Sequence, residues 1–257
     1  MSRDDHENPF PLTGRFLAGR LRDELSHEEK LVFEEMIDEV VTFKTDHRLI
    51  SAGDMPGQST LLIEGFMLRT IEDAKGRHAV SCHVAGDFVD LHCFALKKLD
   101  HNIDCVGPVK VGLVPHARLN EVMETRPHLA RIFWYSTLLD AAMHREWIKK
   151  LEHLLAPQRI AHIVCEIWHR LDMVGLASKD GFETPLRQAD LAEMIGATPV
   201  HTNRALNQLR ENDMLTFAHG QVEFADRAAL EKYASFDVGY LYKNSQISFL
   251  RDGKSGG

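Results

Sequence analysis

The run "LRQADLAEMIGATPVHTNRALNQLREND", residues 186–213, divides into two helices around a short turn. Leu191, Met194 and Ile195 give the first helix an apolar face, Gly196 supplies the turn, and Thr198 followed by Pro199 offers an N-cap and a favourable first helical residue. The spacing predicts a helix-turn-helix. In the second helix Thr202, Ala205, Leu206 and Leu209 can face inward, which leaves Val200, Asn203, Arg204 and Asn207 on the opposite face with His201 beside them.

Those residue types suit a DNA major groove. Arginine bonds guanine bidentately, asparagine bonds adenine, and a valine methyl can meet the thymine methyl. The candidate DNA-contacting set is Gln188, Thr198, Pro199, Val200, His201, Asn203, Arg204 and Asn207. From Pro199 to Arg210 there are two arginines and no acid, whereas residues 185–232 hold five Lys/Arg against seven Asp/Glu and the whole chain has a formal net charge of −8. A general polyanion binder usually has a pI above about 9, so any nucleic-acid contact here is confined to one narrow face.

Outward from this run, "MLTFAHGQVEFAD" (214–226) reads as a two-stranded hairpin with His219-Gly220 in its turn, a wing of the kind that lies against phosphates. On the other side "QRIAHIVCEIWHRLDMVG" (158–175) reads as a helix closed by Gly175, and "LASKDGFETP" (176–185) as a polar link. After Pro127 apolar residues recur at three- and four-residue steps until Pro157. A helix of that length spans roughly 40 Å, more than a small domain needs for its own core. A second copy across a two-fold axis is the expected partner, with Leu129, Ile132, Leu139, Met143, Trp147, Leu151 and Leu154 as the dimerisation residues.

From Leu49 to about Leu119 short apolar runs alternate with Gly53, Gly57, Gly65, Gly76, Gly86 and Gly107, which predicts a β-sandwich or barrel. "LSHEEKLVFEEMIDEV" (25–40) before it reads as a helix with a capping box of Ser26 and Glu29. The chain of 257 residues is 44% hydrophobic, enough for two cored domains. "MSRDDHENPFPLTG" at the start has no apolar stretch of signal-peptide type, and nowhere do eighteen apolar residues run together, so a soluble, cytoplasmic protein without membrane contact is expected. Cys82, Cys93, Cys105 and Cys165 form no CxxC, which argues against a zinc site or disulfide framework. No P-loop, HExxH, nucleophile elbow or dinucleotide fingerprint is present, so no enzyme is expected.

Small β-unit, long helix, helix-turn-helix and wing, in that order, resemble the Crp/Fnr family of bacterial transcription regulators. The likeness runs from about Leu17 to Ala234 and rests on "LLIEGFMLRTIEDAKGRHAVSCHVAGDF" (61–88) and "LRQADLAEMIGATPVHTNRALNQLRENDML" (186–215). It implies an α+β chain: a cyclic-nucleotide-binding-like β-barrel or jelly roll over 1–126 as effector domain, a dimerisation helix over 127–156, and a winged helix-turn-helix over 157–257 with a C-terminal tail. The implied function is a homodimeric, sequence-specific transcription regulator on a palindromic operator in double-stranded DNA, which contacts RNA polymerase when it activates.

The departures narrow this. Cyclic-AMP-binding members follow Gly-Asp-Phe with a Gly-Glu pair and later an Arg-Ser pair, where this chain has Asp90-Leu91 and His101-Asn102. An aspartate at the phosphate position and a missing arginine fork argue against cyclic AMP. The iron–sulfur members need four cysteine thiolates, mostly N-terminal, and no cysteine precedes Cys82. No cofactor is therefore expected. Asp90, His92 and His101 remain effector candidates, His92 because it falls where a haem-sensing member has a haem-ligating histidine. Cys93 and Cys165 are redox candidates. The alternative function is a sensory module, haem or thiol based, whose helix-turn-helix serves protein contacts.

Overall fold

The computed structural model describes residues 9–244. The first eight residues of the predicted N-terminal domain, and residues 245–257 of the predicted tail, lie outside the described residues. Helix α1, His27–Glu35, opens on the predicted capping box, with the Ser26 side chain accepting from Glu29 N and the Glu29 carboxylate accepting from Ser26 N. It stops before Ile37, because Val40, Val41, Thr42 and Phe43 are stiff side chains that favour extended backbone and build strand β1, Glu39–Phe43. The β-unit thus begins ten residues earlier than its glycine spacing suggests.

Strands β2 (His47–Ile50), β3 (Gln58–Asp73) and β4 (Gly76–Val84), the short helix α2 (Cys93–Leu96) and strand β5 (Asn102–Pro115) complete it. All pairings are antiparallel, in the order β1-β5-β3-β4 with β2 also on β5. β3 is buried on both faces over Ser59–Ile63 and Phe66–Thr70, which explains its continuous apolar run where a half-exposed strand would alternate. Its first half also pairs with the Gly86–Val89 passage through Gly86 N to Leu62 O (2.7 Å), Leu62 N to Asp87 O (2.8 Å) and Val89 N to Thr60 O (2.8 Å). One face of the sheet packs round Leu62, Met67, Val89, Leu99, Ile103 and Val111. Helix α3, His116–Thr125, then covers part of the region assigned to the β-unit from glycine spacing.

Helix α4, Pro127–His153, is the predicted long helix, but it ends before Pro157. Leu154 and Leu155 are extended, and Pro157 sits in the first turn of α5, Ala156–Met173, where its missing N–H costs nothing. Arg159 fastens this joint, donating to Leu151 O (2.7 Å), Leu154 O (2.8 Å) and Ile195 O (3.0 Å).

The dimerisation assignment on α4 needs correction. Leu129, Ile132, Leu139, Met143 and Trp147 are buried against their own chain, the first four beside Phe16, Phe33, Phe88 and Phe133. Those four phenylalanines lie with ring centroids 5.0–5.9 Å apart, mostly edge to face. The exposed apolar residues of this region are Trp134, Leu138, Ile148, Leu151 and Leu155, and Leu154 is half-buried. α4 carries two apolar faces, and the inner one took most of the assigned positions.

Beyond α5, strand β6 (Gly181–Glu183), helices α6 (Gln188–Ile195) and α7 (Pro199–Glu211), strands β7 (Thr216–Ala218) and β8 (Gln221–Glu223) and helix α8 (Arg227–Tyr233) follow. The wing has three strands, β6-β8-β7, because Gly181–Glu183 of the supposed polar link pairs with β8. One apolar cluster runs from Phe66, Leu68 and Val84 of the β-unit through α5 to Leu191, Ile195 and Leu209 of the helix-turn-helix. A 3-10 turn, Val238–Leu241, leads the chain back across α5 to the N-terminal segment: Tyr240 Oη donates to Glu166 (2.8 Å), Arg20 Nε to Leu241 O (2.7 Å), and Asn244 N to Gly19 O (3.0 Å).

Candidate nucleic-acid interface

The turn between α6 and α7 is built by local chemistry. Gly196 takes φ +64°, a conformation that costs a side chain dearly, and its N–H closes α6. Thr198 is extended and its hydroxyl accepts from His201 N (3.3 Å), so α7 starts at Pro199 as the sequence indicates. Thr202, Ala205, Leu206 and Leu209 are buried, while Thr198, Pro199, Val200, His201, Asn203 and Arg204 are exposed and Asn207 is half-buried. Val200 is 62% exposed, an apolar side chain presented to solvent at a helix N-terminus.

Along the open face the amides form a ladder that begins on α6. Asn203 Nδ2 donates to Gln188 Oε1 (3.3 Å), Asn207 Nδ2 to Asn203 Oδ1 (3.1 Å), and Arg210 Nη2 to Asn207 Oδ1 (3.0 Å). Arg204 has no hydrogen-bond or ion-pair partner among the described residues, so its guanidinium fork is available for a ligand. Arg210 was not among the sequence candidates, although its place at three residues from Asn207 could have found it. His219 (φ +53°) and Gly220 (φ +76°) make the primed turn of the wing, with His219 exposed at its tip.

The helix-turn-helix is also held by charge. Arg77 of β4 pairs with Glu193 (3.2 Å) and Asp190 (3.8 Å) of α6, and Arg187 with Asp46 (2.7 Å) of the β1–β2 turn.

The effector candidates do not form one open cradle. Asp90 is fully buried and accepts from Thr60 N and from its hydroxyl (3.0 Å), and burial pushes its carboxyl up to about 6 despite these bonds. His92 and His101 come together with ring centroids 5.2 Å apart, and burial followed by the nearby Arg69 cation lowers both, His92 to about 3. Arg69 of β3 donates to Val89 O (Nε, 2.8 Å) and reaches Asp140 of α4 (2.6 Å), bridging the β-unit to the long helix from within.

The thiol candidates need correction. Cys93 and Cys165 are both buried, and burial pushes each thiol above its ordinary value, Cys165 far above it. A reactive thiol needs an exposed, electropositive setting. Cys82 and Cys105 are buried too, each pushed to about 12. Among the described residues no group of three or more His, Cys, Asp or Glu is placed to hold a metal ion.

Residues 158–233 match the profile of the Crp-like helix-turn-helix domain. The stretch from α5 to α8 is thus a Crp-like helix-turn-helix domain. The transcriptional activator protein FnrL of Cereibacter sphaeroides is 23% identical over 194 residues, covering 73% of this chain and 76% of that one. The fold of the chain is similar to that of FixK2 from Bradyrhizobium japonicum (TM-score 0.69, 19% identity, 76% of this chain and 96% of that chain). It is similar also to a CRP/FNR-family regulator from Thermus thermophilus (TM-score 0.61, 16% identity, 77% and 98%). The comparisons thus show a Crp-like helix-turn-helix domain at residues 158–233, on a fold similar to that of these proteins. Among the described residues no helix is long and apolar enough to cross a membrane.

Proposed function

We propose that the protein acts in the cytoplasm as a homodimer that reads a palindromic operator in double-stranded DNA without cyclic AMP, contacting RNA polymerase where it activates. The observation that carries this reading is the outer face of α7, free of acids from Pro199 to Arg210, with Val200 and Arg204 open and Gln188, Asn203 and Asn207 pre-aligned by their ladder. Selection of duplexes from a random library without added ligand tests it. Half-sites one helical turn apart, about 34 Å, and an affinity that falls steeply with salt are the expected result. Arg204→Ala is expected to cost about 1–3 kcal/mol and to relax preference at one symmetric pair of positions. An equal loss on every sequence would make Arg204 a phosphate contact only.

Support for the dimer comes from the outer face of α4, where Trp134, Leu138, Ala141 and Ile148 follow a heptad rhythm that Arg145 and Glu152 interrupt, with exposed Leu155 just past the end of the helix. The dimer role thus passes to these residues and Leu151. Ile148→Glu is expected to sediment as a monomer at concentrations where the unsubstituted chain is a dimer, and to bind a full palindrome no better than a half-site. A dimeric Ile148→Glu protein would remove α4 from the interface.

Independence of cyclic AMP is supported by Asp90-Leu91 and His101-Asn102, and by Arg69, which already spans from β3 to Asp140. The alternative of a thiol sensor loses support from the burial of Cys93 and Cys165.

A further inference from the structure

Where the N-terminal segment, the Gly86–Phe88 turn, α4 and α5 meet, they enclose a cavity of about 30 Å³, and Arg15, Arg20, His83, Asp87, Asp140 and Arg170 are the charged and titratable groups of its wall. A water needs about 10–15 Å³ by this measure, so the space takes about two waters or one ligand of three or four heavy atoms. The wall is made tight by Gly86, at φ +98°, where a Cβ would stand 2.4 Å from Arg15 O.

Four of the six wall residues carry a buried polar atom with no hydrogen-bond partner in the chain: Arg20 Nη2, Arg170 Nε, His83 Nδ1 and Asp140 Oδ1. Arg170 is 2% exposed and His83 1%. Several other atoms of these side chains are committed. Arg170 Nη1 donates to Cys82 O (2.7 Å) and its Nη2 to Asp87, Arg20 Nε serves Leu241 O, and Asp140 Oδ2 serves Arg69. His83 Nε2 pairs with the Ser81 hydroxyl (2.9 Å), while its Nδ1 stands 3.6 Å from Asp87, beyond a hydrogen bond. With Nε2 accepting from Ser81, Nδ1–H is a donor.

With His83 as its Nδ1–H tautomer, three unpartnered donors and one unpartnered acceptor are therefore carried by residues that line one small space, of which Asp140 and Arg170 also line a smaller one beside His144. The wall of the larger space carries three guanidiniums and two carboxylates, with His83 held neutral by burial, and so a net charge of one positive. We infer that this cavity is a binding site for a planar, singly charged oxyanion bearing one O–H, with hydrogencarbonate as the fitting species: its oxygens accept from Arg20, Arg170 and His83, and its hydroxyl donates to Asp140. Such a ligand joins the N-terminal segment, the β-unit, α4 and α5 at one point, and so fixes the helix that carries the reading domain against the helix that carries the dimer face.

The test is thermal unfolding and isothermal titration of the full chain against sodium salts at matched ionic strength. Hydrogencarbonate is expected to raise the midpoint saturably, nitrate to act more weakly because it has no O–H for Asp140, and chloride to do nothing specific. Arg20→Gln is expected to weaken hydrogencarbonate binding roughly tenfold or more. Asp140→Asn is expected to reverse the preference toward nitrate, because an amide can donate where the carboxylate could only accept. No saturable response to any of these anions, equal responses to all three, or an unchanged response in both variants overturns the assignment. So does a crystal grown in hydrogencarbonate whose cavity holds only water. If Arg20→Gln fails to fold, the reversal in Asp140→Asn decides.

Discussion

Replacing Lys150 by methionine is expected to stabilise the fold by about 2–4 kcal/mol at pH 6, and the gain is expected to vanish as the pH approaches about 10.5. Lys150 is buried, with its ammonium 3.7 Å over the Trp147 ring and 3.5 Å from Met194 O at the end of α6. Burial is the largest influence and lowers it to about 7; Glu166 opposes that and Arg159 adds to it. The unfolded lysine holds its proton up to about 10.5, so between pH 7 and 10.5 the unfolded state binds more protons and stability rises with pH. Below pH 7 the folded state carries the whole cost of a buried cation. Methionine, of similar length and apolar, fills the space without that cost. Urea denaturation of both proteins from pH 6 to 10.5 measures the difference, and a difference that is flat with pH would show that Lys150 is not charged at a cost in the fold.

Arg170→Met has the opposite sign. Arg170 is the partner of two carboxylates, Glu166 (3.2 Å) and Asp87, and Glu166 also accepts from Trp147 Nε1 (3.1 Å). Removing the cation leaves both carboxylates buried, which is expected to cost about 3–5 kcal/mol at pH 7. Burial by itself would push Asp87 up, but Arg170, His83 and the Val84 N–H outweigh it and hold the carboxyl well below its ordinary range. In the unsubstituted protein that contribution is present above about pH 4 and is lost as the pH falls further. Without Arg170 the carboxyl is raised instead, so the variant's deficit is largest at neutral pH and shrinks below about pH 5. A deficit that stays constant from pH 7 to pH 4 would mean that Arg170 acts by packing alone. Adding Glu166→Gln to the variant is expected to recover part of the loss.

The helix-turn-helix was legible in the sequence because its signals are local. Gly196, Thr198 and Pro199 act on their own backbone, and Thr202, Ala205, Leu206 and Leu209 lie on one face whatever the rest of the chain does. The partner of α4 was not legible. Periodicity reports that Leu139 and Leu138 are both apolar, but only the course of the β-unit decides that Leu139 is buried and Leu138 is 49% exposed. The buried ions were hidden for the same reason. Arg69 meets Asp140, and Arg170 meets Asp87, across more than seventy residues of sequence, and each reads along its own element as a surface charge. The three-residue β6 is too short to show any alternation before Val222 pairs with it.

The crossing of Val238–Asn244 over α5 to Gly19 and Arg20 has a consequence for biosynthesis. This segment leaves the ribosome after every element it fastens. The turn at Gly196 and the wing can therefore close while the N-terminal segment still lacks its bonds to Leu241 and Asn244. A chain stopped after Tyr233 would hold the reading helix, yet it would lack the hydrogen bonds of Tyr240 to Glu166, Arg20 to Leu241 and Asn244 to Gly19.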